Sequence, residues 1–318
     1  MIAVDHSVEE YLNHCTYEKN LNRLSTKAYK IDLEQFSSFF GPRRSVAEIT
    51  KEDIRLFVRK LFELHLKETS IKRKVASLKA YLRYLEHEDH IAVSPFRKLD
   101  IHIRIPKRIP KYLSMQEVRQ LFSAVRSDLR HDRKKSRAAS SSFQPTDWNR
   151  YVSLQRVVVL ELLFSTGMRV SELCHLNLND LDLSKMMISV FGKGSKERSI
   201  LVTNPQLITI LGRFKDQRDK VRTRSEALLV NRFGKRMQPH SIRLILREMS
   251  SKAELAYRVK PHMFRHTIAT MLIENGMDTR FVQKFLGHSS IMTTQIYTHP
   301  STNAERQLLL DKHPRNFL

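Results

Sequence analysis

The sequence predicts a mainly α protein in two parts. A four-helix N-terminal domain precedes a larger mixed α/β domain of mostly helices with a small antiparallel sheet. Three observations carry this. Helical hydrophobic periods follow one another from Ser7 to Leu85. A basic stretch bounded by prolines, residues 95–110, then has no helical period. Beyond it one alternating hairpin pattern, Met187–Val202, stands among further helical stretches. The chain has 318 residues, room for two domains of ordinary size, and its 41% hydrophobic residues suffice for real cores.

The elements follow in order. Ser7-Val8-Glu9-Glu10 reads as a capped helix start, with Glu three residues after Ser. Leu21 to Phe40 carries Leu24, Tyr29, Ile31, Leu33, Phe36 and Phe39 at roughly helical spacing, and Gly41-Pro42 stops it. Thr50 opens a third helix with Ile54, Leu56, Phe57, Val58, Leu61 and Phe62. Thr69 opens a fourth, in which Ile71, Val75, Leu78, Leu82 and Leu85 alternate with Lys72, Arg73, Lys74 and Lys79. Such a basic stripe suits phosphate contacts, although a solvated helix face looks the same. His102 to Lys111 has two prolines and four Arg or Lys residues and reads as an extended strap. The expected boundaries are therefore 1–102, a basic linker at 103–112, and 113–318.

In the second part, Ser114-Met115-Gln116-Glu117 caps a helix expected through Val125. Residues 126–150 are charged and Ser-rich and read as an inserted surface loop, longer than most loops in a compact domain. Arg156 to Phe164 is an apolar core helix ending at Thr166-Gly167. Met187–Phe191 and Glu197–Val202 form the hairpin around the tight turn Gly192-Lys193-Gly194-Ser195-Lys196. Asn204–Thr223 is a helix and Leu228–Val230 a short strand. Pro239–Ser251 is a helix presenting Arg243 and Arg247 as phosphate or groove contacts. Pro300 begins a last helix through about Leu310.

The formal net charge is +23 and the pI about 10.2. A chain this basic suits a polyanionic partner, DNA or RNA, the alternative being a ribosome-associated or merely basic protein. Cys15 and Cys174 are far apart and no CxxC pair exists, which speaks against a zinc site or a disulfide framework. The N-terminus lacks the pattern of a signal peptide, and no apolar stretch is long enough to span a bilayer. A cytoplasmic, DNA-facing protein with no membrane partner is expected.

Three polar clusters crowd the last quarter: Lys260-Pro261-His262-Met263-Phe264-Arg265-His266-Thr267, Leu286-Gly287-His288-Ser289, and Tyr297-Thr298-His299. His262 and Arg265 are three apart and share a helix face. Pro261 suits the first helical turn. Gly287 suits a left-handed helix cap that would aim His288 at whatever Arg265 faces. Tyr297, nine residues after His288, is a possible nucleophile. Upstream, Arg169 follows the Thr166-Gly167 turn and would be presented into a cleft. Glu172, three residues on, can hold the local backbone or the guanidinium.

These motifs resemble the tyrosine recombinase (phage integrase) family. They are H-x-x-R at His262 and Arg265, L-G-H-x-S at His288, Tyr297 nine residues on, T-G-x-R-x-S-E-L at Arg169, and G-K-G-x-K at Lys193. All six residue types occur in family order, and the resemblance covers nearly the whole chain. It implies that the N-terminal part is a core-binding (SAM-like) domain arching over one side of the DNA. The segments Ser25–Tyr29 and Ser70–Lys74 resemble its DNA-side segments, so Lys27, Lys72, Arg73 and Lys74 become DNA-contact candidates. Lys107-Arg108-Ile109-Pro110-Lys111 resembles the K-R-x-P-K linker of recombinases that wrap DNA as a clamp.

The resemblance also implies the chemistry. Arg169 and Arg265 would clamp the non-bridging oxygens of a phosphodiester by charge-assisted hydrogen bonds. Tyr297 would attack, and its phenol, with a pKa near about 10, needs help to lose its proton. His262 is the expected general base, His288 a hydrogen-bond donor to the scissile phosphate, and Lys193 the acid that protonates the leaving 5′-oxygen. Lys196 is a neighbouring DNA contact; His266 and His299 are expected to be structural. The product would be a 3′-phosphotyrosyl link that a free 5′-OH can religate without ATP. No metal and no other cofactor is expected, because the arginines supply the positive charge.

The implied partner is double-stranded DNA with an inverted-repeat site, held in a tetrameric complex, homomeric or with a second recombinase. The terminal helix suits docking on a neighbouring subunit, and the ending is similar to that of the Xer recombinases. The length leaves no room for a large arm-binding domain, which favours Xer-type resolution of chromosome or plasmid dimers. Three alternatives stay open: an integrase or transposase of a mobile element, a type IB topoisomerase, and a non-catalytic DNA-binding protein. The sequence leaves undetermined the DNA site, the second recombinase, a DNA translocase as activator, and whether Tyr297 acts in cis or in trans.

Overall fold

The computed structural model describes residues 2–106, 111–138, 145–192, 197–221, 223–287 and 309–318; for 128–138 and 145–147 it describes the backbone alone. The chain forms two compact units, Met1–Arg108 and Ile109–Leu318. It is mainly helical, with one small antiparallel sheet in the second unit.

The first unit is a bundle of α1 (Val4–Asn13), α2 (Arg23–Phe40), α3 (Lys51–Glu63) and α4 (Glu68–His87). The third helix starts as expected: Thr50 Oγ1 accepts from the Asp53 N–H at 3.2 Å, and the Asp53 carboxylate accepts from the Thr50 N–H at 2.9 Å. The first helix starts earlier than expected. Ser7 is not its cap but a buried residue inside it, hydrogen-bonded to the Val4 carbonyl and the Tyr81 hydroxyl.

The apolar face of α2 also differs from the expected one. Leu33, Phe36 and Phe40 are buried, whereas Leu24 is 79% exposed and Ile31 50%. Residues 33, 36 and 40 hold a 3.6-residue period that 24 and 31 fall outside. Ile103 belongs to the apolar cluster of this bundle, so the extended stretch after Leu99 begins against the core.

The second unit contains α5 (Met115–Ala138), α6 (Pro145–Thr166), α7 (Val170–His175), α8 (Pro205–Asp219), α9 (Pro239–Lys252), α10 (Pro261–Glu274) and α11 (Thr279–Leu286). The expected surface loop at 126–150 is corrected. Residues 126–138 continue α5 and 145–150 begin α6, leaving only 139–144 outside the described residues. Residues 126–138 are rich in Arg and Lys, good helix formers, and contain neither Gly nor Pro, so nothing in them breaks a helix. Pro145 stands in the first turn of α6, where its missing N–H costs nothing.

Helix α6 is the axis of this unit: Val157 through Phe164 are buried throughout, Glu161 included. The strands β1 (Leu181–Asp182), β2 (Met187–Phe191) and β3 (Glu197–Leu201) lie in the order β1-β2-β3, all antiparallel, with Ile188 opposite Ile200 and Val190 opposite Arg198. Residues 228–230 make no strand. They are buried and flanked by isolated bridges, Asn177 to Ala227 and Val230 to Arg236. Tyr151 and Gln155 of α6 hold them: Gln155 Nε2 donates to the Val230 carbonyl at 2.9 Å, and the Val230 N–H donates to the Tyr151 hydroxyl oxygen at 3.3 Å.

The expected terminal helix lies mostly outside the described residues, and its described end packs on its own unit. Leu309 joins Ile268, Leu272, Met277, Val282 and Leu286. Arg315 donates to both carboxylate oxygens of Glu161 at 2.7 and 2.8 Å, with both side chains fully buried. His313 Nε2 donates to the Ser165 carbonyl at 2.8 Å while its Nδ1 accepts from the Arg315 N–H. Among the described residues no helix is long and apolar enough to cross a membrane.

Candidate active site

Two tight turns build the site. The first follows α6. Gly167 adopts φ +59°, and a Cβ there would come within 2.8 Å of Ile268 Cγ2 and closer still to Leu286 Cδ2. Only glycine meets both demands. The second ends α11, where Gly287 closes the helix at φ +65°, as its place after Leu286 predicts.

Arg169 leaves the first turn just before α7. Its N–H donates to Glu172 Oε2 and its Nη1 to Glu172 Oε1, both at 2.8 Å. Its Nη2 reaches the second turn and donates to the Gly287 carbonyl at 3.1 Å. Glu172 therefore does both things open to it: it caps the backbone and holds the guanidinium.

Arg265 cross-braces the same two turns from α10. Its Nη1 donates to the Gly167 carbonyl at 2.9 Å and its Nη2 to the Leu286 carbonyl at 2.6 Å. Pro261 starts this helix, as expected. Burial, then the neighbouring Arg169 and Arg198 guanidiniums, push the Arg265 pKa down to about 10, against the pull of Glu172. The group stays cationic at neutral pH. His262 lies one turn earlier on α10 and is exposed, its ring 6.3 Å from that of His266. Partial burial, His266 and Lys260 lower its pKa below the ordinary imidazole value, so it is mostly neutral at pH 7.

Sequence reasoning missed Arg198. It sits on β3 and forks onto Glu172, Nη1 to Oε1 at 3.0 Å and Nη2 to Oε2 at 2.9 Å. Burial alone would raise the Glu172 carboxyl, but hydrogen bonds from Arg198 and Arg169 outweigh it and hold the group below its usual range. A signal was available. Arg198 is in phase with Ile200 and Val202, the inward positions of the strand, so an arginine there needs a buried partner. Thr267 was also missed. It accepts from the Leu113 N–H at 2.8 Å, pinning the start of this unit to α10 two residues from Arg265.

The structure thus brings Arg169, Glu172, Arg198 and Arg265 together, with His262 on the same helix as Arg265. Lys193, His288 and Tyr297 lie outside the described residues, as do Lys107, Arg108 and Lys196. Of the other DNA-contact candidates, Lys27, Lys72, Arg243 and Arg247 are exposed. Arg73 is exposed as well and pairs with Asp32.

Lys74 is a correction. It is buried, and its Nζ lies 3.0 Å from Asp32 Oδ1, so it is not available to a ligand. Asp32 is fully buried and also accepts from the Ser77 hydroxyl at 2.8 Å. A buried carboxylate requires such partners, and the helix pattern of α4 alone does not reveal it.

Comparison with known proteins extends this picture. Residues 111–304 match the model of the phage integrase family, and residues 8–89 match that of its N-terminal SAM-like domain. A tyrosine recombinase of Agathobacter rectalis is 35% identical over 308 residues, covering 97% of this chain and 96% of the relative. Tyrosine recombinase XerC of Bacillus pumilus is 33% identical over 318 residues, covering 98% and 97%. Among solved structures, a lambda integrase tetramer bound to a Holliday junction superposes with TM-score 0.65 at 15% identity, covering 94% of this chain and 81% of that one; at that identity the likeness shows the fold alone.

Proposed function

This chain belongs to the phage integrase family and is a tyrosine site-specific recombinase, and from that premise we propose that it cuts and rejoins duplex DNA through a 3′-phosphotyrosyl intermediate on Tyr297. The observation that carries the reading is the cross-bracing of Arg169 and Arg265 on the Gly167 and Gly287 turns. Two guanidiniums held rigidly side by side would stabilise the charge growing on a pentacoordinate phosphorus, and losing one such donor typically costs on the order of 10²–10³ in rate.

In this mechanism the Tyr297 hydroxyl attacks phosphorus and the 5′-oxygen departs. His262 assists proton loss from the phenol; its depressed pKa keeps it in the basic form. Lys193 protonates the departing oxygen, and His288 hydrogen-bonds the phosphate. The energy of the phosphodiester is kept in the tyrosyl ester, so a 5′-OH from a second strand religates it with neither ATP nor metal. The assembly is a tetramer on two inverted-repeat sites. We further propose a role in resolving chromosome or plasmid dimers; the likeness to a tyrosine recombinase XerC supports an Xer-type recombinase.

Covalent trapping tests this. The protein and Tyr297→Phe are mixed in EDTA with fragmented genomic DNA carrying nicks and quenched in SDS, and the protein-linked DNA is sequenced. The expected result is an adduct on one recurring inverted-repeat site, absent in the variant. Adducts scattered over many sites would point to a topoisomerase instead, and an adduct that survives Tyr297→Phe would remove Tyr297 as nucleophile.

A further inference from the structure

We propose that Arg198 is a positioning residue of this site: it takes up the charge of Glu172, so that Arg169 keeps its own charge for the scissile phosphate. The proposal rests on the reading of Arg169 and Arg265 as phosphate-binding residues.

Glu172 is only 4% exposed. Its two oxygens accept four hydrogen bonds: Oε1 from Arg169 Nη1 and Arg198 Nη1, Oε2 from the Arg169 N–H and Arg198 Nη2. That fills the roughly four acceptor positions a carboxylate has. The two partners are not equal. Arg198 makes the planar two-pronged pairing that guanidinium and carboxylate prefer, whereas Arg169 gives Glu172 one prong and turns the other to the Gly287 carbonyl.

The charge count follows. Three guanidiniums, Arg169, Arg198 and Arg265, face one carboxylate, leaving an excess of two positive charges at the place where a dianionic transition state would form. Without Arg198 the excess falls to one, and Glu172 would turn its whole charge on Arg169. The depressed pKa of Arg265, to which both other arginines contribute, agrees that the three charges feel one another.

Arg198 is poorly placed to replace Arg169 at the phosphate. Its side chain is largely buried, and its Nη1 and Cζ back onto Gly287, 2.9 and 3.0 Å from where a Cβ would stand. It therefore acts through its neighbours. It also links three motifs that are distant in sequence: the return strand of the hairpin, the arginine turn and the cap of α11.

The test is a charge-restoration cycle on the full-length protein, comparing wild type, Arg198→Lys, Arg198→Gln, Glu172→Gln and the Glu172→Gln/Arg198→Gln double variant. Two readouts are taken. One is the rate of SDS-resistant adduct formation on the pool of nicked genomic fragments. The other is the rise in melting temperature produced by inorganic phosphate relative to chloride at equal ionic strength.

Arg198→Gln is expected to slow adduct formation on the order of 10²-fold and to blunt the phosphate response, with Arg198→Lys intermediate. The double variant, whose charge excess is again two, is expected to react at least about tenfold faster than Arg198→Gln and to regain the phosphate response. A scaffolding role predicts a double variant no better than the worse single one, and that result overturns the proposal. If wild type forms no adduct while the phosphate response follows the charge count, the recombination chemistry fails and the Arg198 assignment stands. If wild type forms the adduct but the phosphate response ignores the charge count, the assignment alone fails.

Discussion

The Leu286 side chain occupies the space where a Cβ on residue 167 would lie, so the two turns of the active site are packed directly on each other. Arg265 then fastens one to the other through the Gly167 and Leu286 carbonyls. Gly167→Ala must both strain a backbone at φ +59° and displace Leu286 or Ile268. The expected cost is about 2–4 kcal/mol, read by urea unfolding, with adduct formation lost even where the protein remains folded. Normal stability in that variant would show that the packing of the turns is looser than described.

His262 gives a pH prediction. Its pKa is lowered by burial and by His266 and Lys260, so its neutral form persists as the pH falls to the ordinary imidazole range and is lost only below it. If His262 is the base, the acid limb of the cleavage rate lies below about pH 6.5. His266→Asn removes one depressing charge and should move the limb upward. A limb that stays put in His262→Asn, with the rate unchanged, would assign the proton transfer to another group.

The tail contributes a second pH dependence, this time of stability. Burial, and next to it the Arg315 charge, push His313 down to about 4 against the Ser165 hydrogen bond. A folded-state pKa below the unfolded value means that the unfolded chain takes up the proton first. The stability His313 supports is thus complete above the unfolded pKa and lost as the pH falls from about 6.5 toward 4. The full loss is on the order of 3 kcal/mol. Urea midpoints across that window should fall more steeply in wild type than in His313→Asn; parallel curves would reject the assignment.

Lys72 and Lys74 stand two positions apart, the first exposed and the second buried. Lys72→Ala should lower the salt dependence of DNA binding by about one unit of slope, because an exposed lysine on a phosphate releases a counterion. Lys74→Ala should leave that slope alone and destabilise the bundle by about 1–3 kcal/mol, since the buried Asp32 carboxylate loses one of its partners while Arg73 and Ser77 remain. Salt titrations of binding and urea melts of both variants decide it.

What could be read from the sequence was what local rules govern. Pro261 at a helix start, Gly287 at a helix end, the Thr50–Asp53 cap, and Arg169 followed by Glu172 are each settled within a few residues. Lys74 could not be read correctly, because its partner Asp32 is 42 positions away. The polar run after Val125 has the charge of a loop but the propensity of a helix, and propensity wins in 126–138. Arg198 was legible only through the two-residue period of β3, which turns it inward; its partner Glu172 is 26 positions away.

The Glu161–Arg315 pair has a consequence for how the protein is made. Glu161 sits in the apolar middle of α6, and the partner that neutralises it lies 154 residues further along the chain. On the ribosome, α6 therefore emerges with a charge that can reach Arg126 of α5 at 3.8 Å but still lacks the two-pronged pairing it makes with Arg315. The N-terminal bundle finds all its core partners within its first 103 residues and can fold as it appears. The second unit completes that buried pair only when residue 315 has arrived. A catalytic unit synthesised this way matures late, and the order of maturation places the bundle first and the reactive site last.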